Sequence, residues 1–293
     1  MIITVIHMKY YKHLLSLKIF TTEDIILLCG NVNTAHSIIT SYQKRKLIKR
    51  VRQNLYIALD KYKRHSVNKF MIASKISKNN YISHYSAVEF YKMSKEFNKE
   101  VYVSGGTRFN TFSFEDYNYY YIKPKICEGV VTFNNISITD KERTILDNIN
   151  DFEKIGGIDI LYDILPRFCE CIDYDKVLKY LSLYNKQSMY QKTGYLLGEF
   201  DWTDDFHKSF FYECSKHIGN AAGYLYSELK TKEKRKFDRK WRLYVPIKAG
   251  KHRKINEEEP RKSKYYTSDI ISSSDWGLIG GHKVSHQNWK GNY

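Results

Sequence analysis

Thr22-Glu23-Asp24-Ile25-Ile26-Leu27-Leu28-Cys29-Gly30, continued by Asn31-Val32-Asn33 and the run to Asp60, decides the fold. Thr22 offers an N-cap hydroxyl. Glu23 and Asp24 put acids where a helix dipole favours them, and Gly30 ends the apolar run, so a short capped helix is expected. After a turn at Asn31-Val32-Asn33, Ala35, Ile38, Ile39 and Tyr42 recur at i, i+3, i+4 and i+7, the spacing of an amphipathic helix. At about 100° per residue, Asn33, His36, Ser37, Thr40, Ser41 and Lys44 fall opposite that stripe. Small hydroxyls and amides can exchange hydrogen bonds with base edges and phosphates, and these are not bulky enough to hold a helix out of a major groove. Lys44 to Arg52 then carries six basic residues in nine and no acid, among them Arg45 and Lys49. Ile48 to Val51 and Leu55 to Leu59 read as two strands joined at Arg52-Gln53-Asn54, so Arg50, Arg52 and Asn54 form a wing. The order of helix, helix, basic run and ribbon is that of a winged helix-turn-helix that binds double-stranded DNA. The plainer reading of the basic run is a solvated helix end.

Working outward, 293 residues with 42% hydrophobic content suffice for two domains with cores. The formal charge of +16 is segregated. Residues 1–65 hold 12 Lys/Arg against 3 Asp/Glu, residues 66–229 hold 19 against 22, and residues 230–264 hold 15 against 5. Basic ends around a near-neutral middle mark faces for an anionic partner. Five cysteines with no CxxC pair suggest neither a disulfide framework nor a zinc ribbon. His7 and Lys9 interrupt the apolar start before it forms a signal core, and no run reaches membrane-spanning length. A cytoplasmic protein with no membrane partner is expected, and Met8 is an alternative initiator.

Residues 8–19 read as the packing helix of the first domain, expected over residues 1–65. Beyond a polar connector, Lys69 to Ser77 and the segment after Ser83 read as helices. Val101 to Thr139 is aromatic and β-branched with turns at Gly105-Gly106 and Asn134-Asn135, which predicts a small, mostly antiparallel sheet. Thr139-Asp140-Lys141-Glu142 has the pattern of a capping box, so a helix carrying Ile145, Leu146 and Ile149 is expected next, with further helices at Ile158 to Leu165, Tyr174 to Tyr184 and Tyr190 to Leu197. The expected fold is α+β: a winged helix-turn-helix, then a mixed α/β domain over 66–229 with a helical C-terminal half, then a basic extension over 230–293.

Tyr81-Ile82-Ser83, Ser86-Ala87-Val88-Glu89, Val101-Tyr102-Val103, Asp140-Lys141-Glu142-Arg143-Thr144-Ile145-Leu146-Asp147 and Thr193-Gly194-Tyr195-Leu196-Leu197, together with the winged module, resemble the AbiEi antitoxin family of bacterial type IV toxin-antitoxin systems. The likeness runs from about Phe20 to Phe200; no family pattern follows. It implies a regulator of a two-gene operon that binds inverted repeats in its own promoter and counters a nucleotidyltransferase-like toxin without a tight complex. It also places an antitoxin-domain motif on Glu142, Arg143, Thr144 and Asp147. These either act on a partner or hold the sheet–helix junction, with Glu142 as the capping-box acid.

No catalytic residue, metal or cofactor is expected. His282 and His286 lack the glutamate of HExxH, and the paired glycines lack the lysine and hydroxyl of a phosphate loop. The rival reading is a metal-dependent nuclease built on Glu115, Asp116 and Lys123 or Lys125. In the tail, basic residues among Trp241, Tyr244, Tyr265 and Tyr266 suit either an accessory nucleic-acid contact or a mobile end.

Overall fold

The apolar stripe Ala35, Ile38, Ile39, Tyr42 is buried, and it organises the N-terminal part of the chain. This computed structural model describes residues 2–94, 97–200, 205–231 and 234–247, all within one compact unit. Helix α1 (Ile2–Leu17) and strand β1 (Ile19–Thr21) lead into α2 (Thr22–Cys29), α3 (Val32–Lys44), β2 (Ile48–Arg52) and β3 (Leu55–Ala58). Thr21 rather than Thr22 caps α2, in a capping box with Asp24. Gly30 closes the helix at φ 71°, a left-handed conformation that a glycine adopts without strain. Asn31 then caps α3 through the Thr34 N–H, so the turn is shorter than expected and Val32 and Asn33 are already helical. The three strands form an antiparallel sheet in the order β1-β3-β2. Leu14, Phe20, Ile25 and Ile48 join the α3 stripe in one core. Strand β1 was not anticipated, because three residues are too few for a period-2 signal.

The second region opens with α4 (Lys69–Lys75), β4 (Asn80–Ile82) and α5 (His84–Phe90), followed by β5 (Glu100–Gly105), β6 (Phe112–Phe114), β7 (Tyr117–Tyr121), β8 (Val130–Phe133) and β9 (Ile136–Thr139). These strands make a six-stranded sheet in the order β6-β7-β5-β4-β9-β8. It is mixed with an antiparallel majority, as expected: β4–β5, β6–β7 and β8–β9 are antiparallel, while β5 pairs parallel to β7 and β4 parallel to β9. The parallel pairs arise because β4, which its three residues concealed, inserts between β5 and β9, and because β6 lies outside β7 and leaves β7 beside β5.

Helices α6 (Lys141–Asn150), α7 (Ile158–Cys169), α8 (Tyr174–Tyr184), α9 (Gln187–Leu197) and α10 (Asp205–Lys216) follow, then β10 (Gly223–Tyr224), β11 (Arg235–Asp238) and β12 (Leu243–Pro246). The expected boundary at 229/230 is not observed as a break in the fold. Strand β10 pairs with β12 across it, and Trp241, Leu243 and Val245 belong to the same core as Leu196, Leu197 and Phe211. The Trp241 ring also explains Gly194 in the Thr193-Gly194-Tyr195 segment, since a Cβ there would overlap the indole. Gly194→Ala is therefore expected to destabilise by about 1–3 kcal/mol or more through overpacking, read as a lower urea midpoint at unchanged m-value. Among the described residues no helix is long and apolar enough to cross a membrane. Residues 248–293, with His282, His286, Tyr265 and Tyr266, lie outside the described residues.

Candidate functional site

The face of α3 opposite the core stripe is open to solvent. Asn33, His36, Ser37, Thr40 and Lys44 are exposed, Ser41 is half-buried, and Arg45 is exposed at the C-cap. Helix α3 contains no acidic residue. The Ser37 hydroxyl donates to the Asn33 carbonyl at 3.0 Å, which leaves its lone pairs outward as acceptors. Sequence reasoning therefore placed this helix face as the structure has it.

The wing departs from expectation. Val51 forms a β-bulge, the register slipping between Arg50 opposite Tyr56 and Arg52 opposite Leu55. A bulge re-aims the side chains that follow it. Val51 turns into the core, and Arg52 is re-aimed onto the second region, its guanidinium 5.4 Å from the Phe109 ring centroid and 5.0 Å from that of Phe112. Burial lowers its pKa from the ordinary arginine value. Lys49 is engaged as well: its Nζ lies 2.7 Å from Glu115, which His65 Nε2 approaches at 3.0 Å. Although burial opposes it, these two partners hold the Glu115 carboxyl below its usual range. Asn54 occupies the turn at φ 61°, and its side-chain oxygen accepts from the Thr22 hydroxyl at 3.4 Å. Of the wing residues, Arg50 stays exposed, with Nε donating to the Arg52 carbonyl at 3.2 Å. Arg52 thus fixes the hairpin to its surroundings, while Lys49 and Asn54, though in contact with Glu115 and Thr22, are exposed like Arg50.

Glu142, Arg143, Thr144 and Asp147 are all buried, Arg143 at 0% exposure. The N-cap of α6 is Asp140, accepting from the Arg143 N–H at 2.8 Å, so Glu142 is one position too early to close a capping box. Its carboxylate instead accepts from the Asp173 N–H at 3.0 Å and from Lys176 Nζ at 3.1 Å, tying α6 to the start of α8. Arg143 donates from Nε to Asp147 at 2.9 Å and from a terminal nitrogen to the Glu128 carbonyl at 2.7 Å. The Tyr184 hydroxyl donates to the other Asp147 oxygen, and that of Tyr180 to Asp140 at 2.7 Å. Burial by itself lowers the Arg143 pKa, but the charges of Asp147 and Tyr184 outweigh it and the net shift is upward. Thr144 bonds Thr139, hydroxyl to hydroxyl, at 2.7 Å. These bonds close the sheet–helix junction and tie it to α8, with one buried terminal nitrogen of Arg143 left without a hydrogen-bond partner among the described residues.

A second buried chain of polar groups runs from Ser104 through Ser83 (2.8 Å) and His84 Nδ1 (2.9 Å) to Asp151, 3.5 Å from His84 Nε2. The order imitates a hydrolase triad. Ser83 is wholly buried, however, so no substrate carbonyl can reach its hydroxyl, and the chain joins β4, β5, α5 and the end of α6. Nothing in the spacing announced it. Burial works to raise the Asp151 pKa, but His84 and Lys154 overcome it and hold the carboxyl well below the carboxylate range. A depressed folded pKa gives stability that is present above the unfolded value, near 4, and is lost as pH falls through the folded pKa. The stability difference between wild type and Asp151→Asn should accordingly shrink from pH 6 to pH 3 in urea titrations; a constant difference would show that the carboxylate contributes nothing.

No family model matches the chain, and no curated protein matches it. The RV2827C protein from Mycobacterium tuberculosis, a solved structure, is similar at a TM-score of 0.49 and 9% identity, over 77% of this chain and 85% of that one. A likeness of that size carries no functional argument.

The nuclease candidates are not brought together. Glu115 and Asp116 precede β7, whereas Lys123 and Lys125 follow its other end, about 13 Å away at 3.3 Å per residue over the strand. Among the described residues no group of three His, Cys, Asp or Glu side chains could hold a metal.

Proposed function

We propose that the segment from α1 to β3 is a winged helix-turn-helix that sets α3 in the major groove of double-stranded DNA. The observation that supports it most is the acid-free, solvent-facing row Asn33, His36, Ser37, Thr40 and Lys44, beside the exposed cations Arg45 and Arg50. Small hydroxyls and amides read base edges, and flanking cations neutralise phosphates. Together with the likeness to AbiEi antitoxins, this makes the chain a cytoplasmic autorepressor and antitoxin. It binds inverted repeats upstream of its own gene and opposes a nucleotidyltransferase-like toxin without a lasting complex and without catalysis of its own.

A gel shift against the upstream DNA, with and without magnesium, tests the reading. An intact shifted fragment supports repression; a fragment neither shifted nor retained at low salt overturns it, and a degraded one favours the nuclease. Ser37→Ala with Thr40→Ala should reduce discrimination between operator and random duplex, each lost base contact being worth about 1–3 kcal/mol. Arg50→Ala should weaken binding to all duplexes alike and lower the salt slope by about 0.9. Arg52→Ala is expected to leave that slope unchanged, because its guanidinium lies over Phe109 and Phe112.

A further inference from the structure

Strands β5 and β7 run parallel, and both end at one edge of the six-stranded sheet, at Gly105 and Tyr121. Just beyond those ends a cleft of about 470 Å³ opens, lined by Gly106, Arg108, Tyr121 and Lys123. Space outside the carboxyl ends of parallel strands is where open sheets commonly take ligands, and small-molecule sites run to roughly 300–1,000 Å³. Arg108 and Lys123 are both exposed, and neither forms an ion pair or side-chain hydrogen bond among the described residues. The acids of these strands cannot neutralise them: Glu100, Glu115 and Asp116 all sit at the opposite ends of β5 and β7, and Glu115 is already committed to Lys49 and His65. Strand β4 is antiparallel to β5, so the residues before it, Lys78 and Asn79, also lie at the cationic end.

The apolar wall is Tyr121. Its hydroxyl donates to the Gly105 carbonyl at 2.9 Å, and Phe109 packs edge-on against its ring at 5.7 Å, which fixes the ring in place. Gly106 has no heavy atom within 4 Å of where a Cβ would stand, so its backbone is open to close approach.

We propose that this cleft binds a nucleoside phosphate, with Arg108 and Lys123 taking the phosphate oxygens and the Tyr121 side walling the nucleoside. Two unpaired cations lining one cleft beside an open backbone suit a phosphate, for which Arg supplies a planar fork and Lys a point charge. The fixed aromatic ring favours a nucleoside over a bare anion. This goes beyond the DNA-binding reading and does not depend on it, because no duplex enters the test.

The full-length chain is titrated calorimetrically with ATP, GTP, CTP and UTP, and with pyrophosphate and inorganic phosphate as probes lacking a nucleoside. At least one nucleotide should bind one to one, at least tenfold more tightly than pyrophosphate. Arg108→Ala with Lys123→Ala should weaken it tenfold or more while far-ultraviolet circular dichroism and melting stay as in wild type. Lys179→Ala with Lys186→Ala, which removes the same charge from the exposed surface of α8 and the residue after its C-cap, should bind as wild type does. The proposal is overturned if no nucleotide binds, if pyrophosphate binds as tightly as the nucleotides, or if both double variants bind alike.

Discussion

A fragment of residues 66–229 should show no cooperative unfolding transition, whereas one of residues 66–247 should fold. The shorter piece ends between β10 and its partner β12 and removes Trp241, Leu243 and Val245, each at most 4% exposed. Burying one large apolar side chain contributes about 1.5–3 kcal/mol, so the three together approach the 5–15 kcal/mol by which a domain is stable at all. Loss of Trp241 also leaves Gly194 and Phe211 facing water. The longer fragment keeps this core and, among the described residues, forfeits the contacts with the N-terminal region, chiefly Arg52 over Phe109 and Phe112 and the Lys49–Glu115–His65 group. It is expected to melt cooperatively below the full chain. Calorimetry on both fragments decides the point, and a cooperative, native-like transition for 66–229 would refute it. The proposed antitoxin activity is then tested on 66–247.

What was legible in the sequence was whatever repeats with a period or ends with a dedicated residue. The α3 stripe could be read because four apolar residues obey a 3.6 period, and the end of α2 because Gly30 suits a left-handed cap. The starts of α2 and α6 were legible to within one residue, since Thr21 and Thr22 carry the same hydroxyl and Thr139 and Asp140 both make good N-caps, whereas α1 and α9 begin at Ile2 and Gln187, ahead of the expected residue 8 and Tyr190. That one-residue shift changed the role of Glu142 from local cap to a clasp on α8. Strands β1 and β4, of three residues each, carry too little pattern to register. The wing assignment put Arg52 in the turn, whereas β2 runs through it and the bulge at Val51 re-aims it, so it lies on two aromatic rings. Contacts such as Gly194 with Trp241, or His84 with Asp151, join residues far apart in the chain, and no single sequence states them.

Arg143→Ala should be among the most damaging single substitutions in the chain. Its guanidinium is wholly buried and bonds the Asp147 carboxylate and the Glu128 carbonyl, while its Cβ packs so near Gly129, at φ 76°, that this glycine admits no side chain. Truncation leaves Asp147, 3% exposed, with the Tyr184 hydroxyl and no cation hydrogen-bonded to it. Removing one partner of a buried pair costs about 3–5 kcal/mol, most of it the penalty on the charge left behind. That origin makes a specific prediction: Arg143→Ala combined with Asp147→Leu should be more stable than Arg143→Ala alone, because the orphaned charge leaves with its partner. A role in contacting the toxin predicts something different, namely that Arg143→Ala keeps a native melting temperature and loses only protection. Thermal melts of the two variants beside co-expression survival separate the cases, and a fully stable Arg143→Ala protein would remove the structural account of this motif.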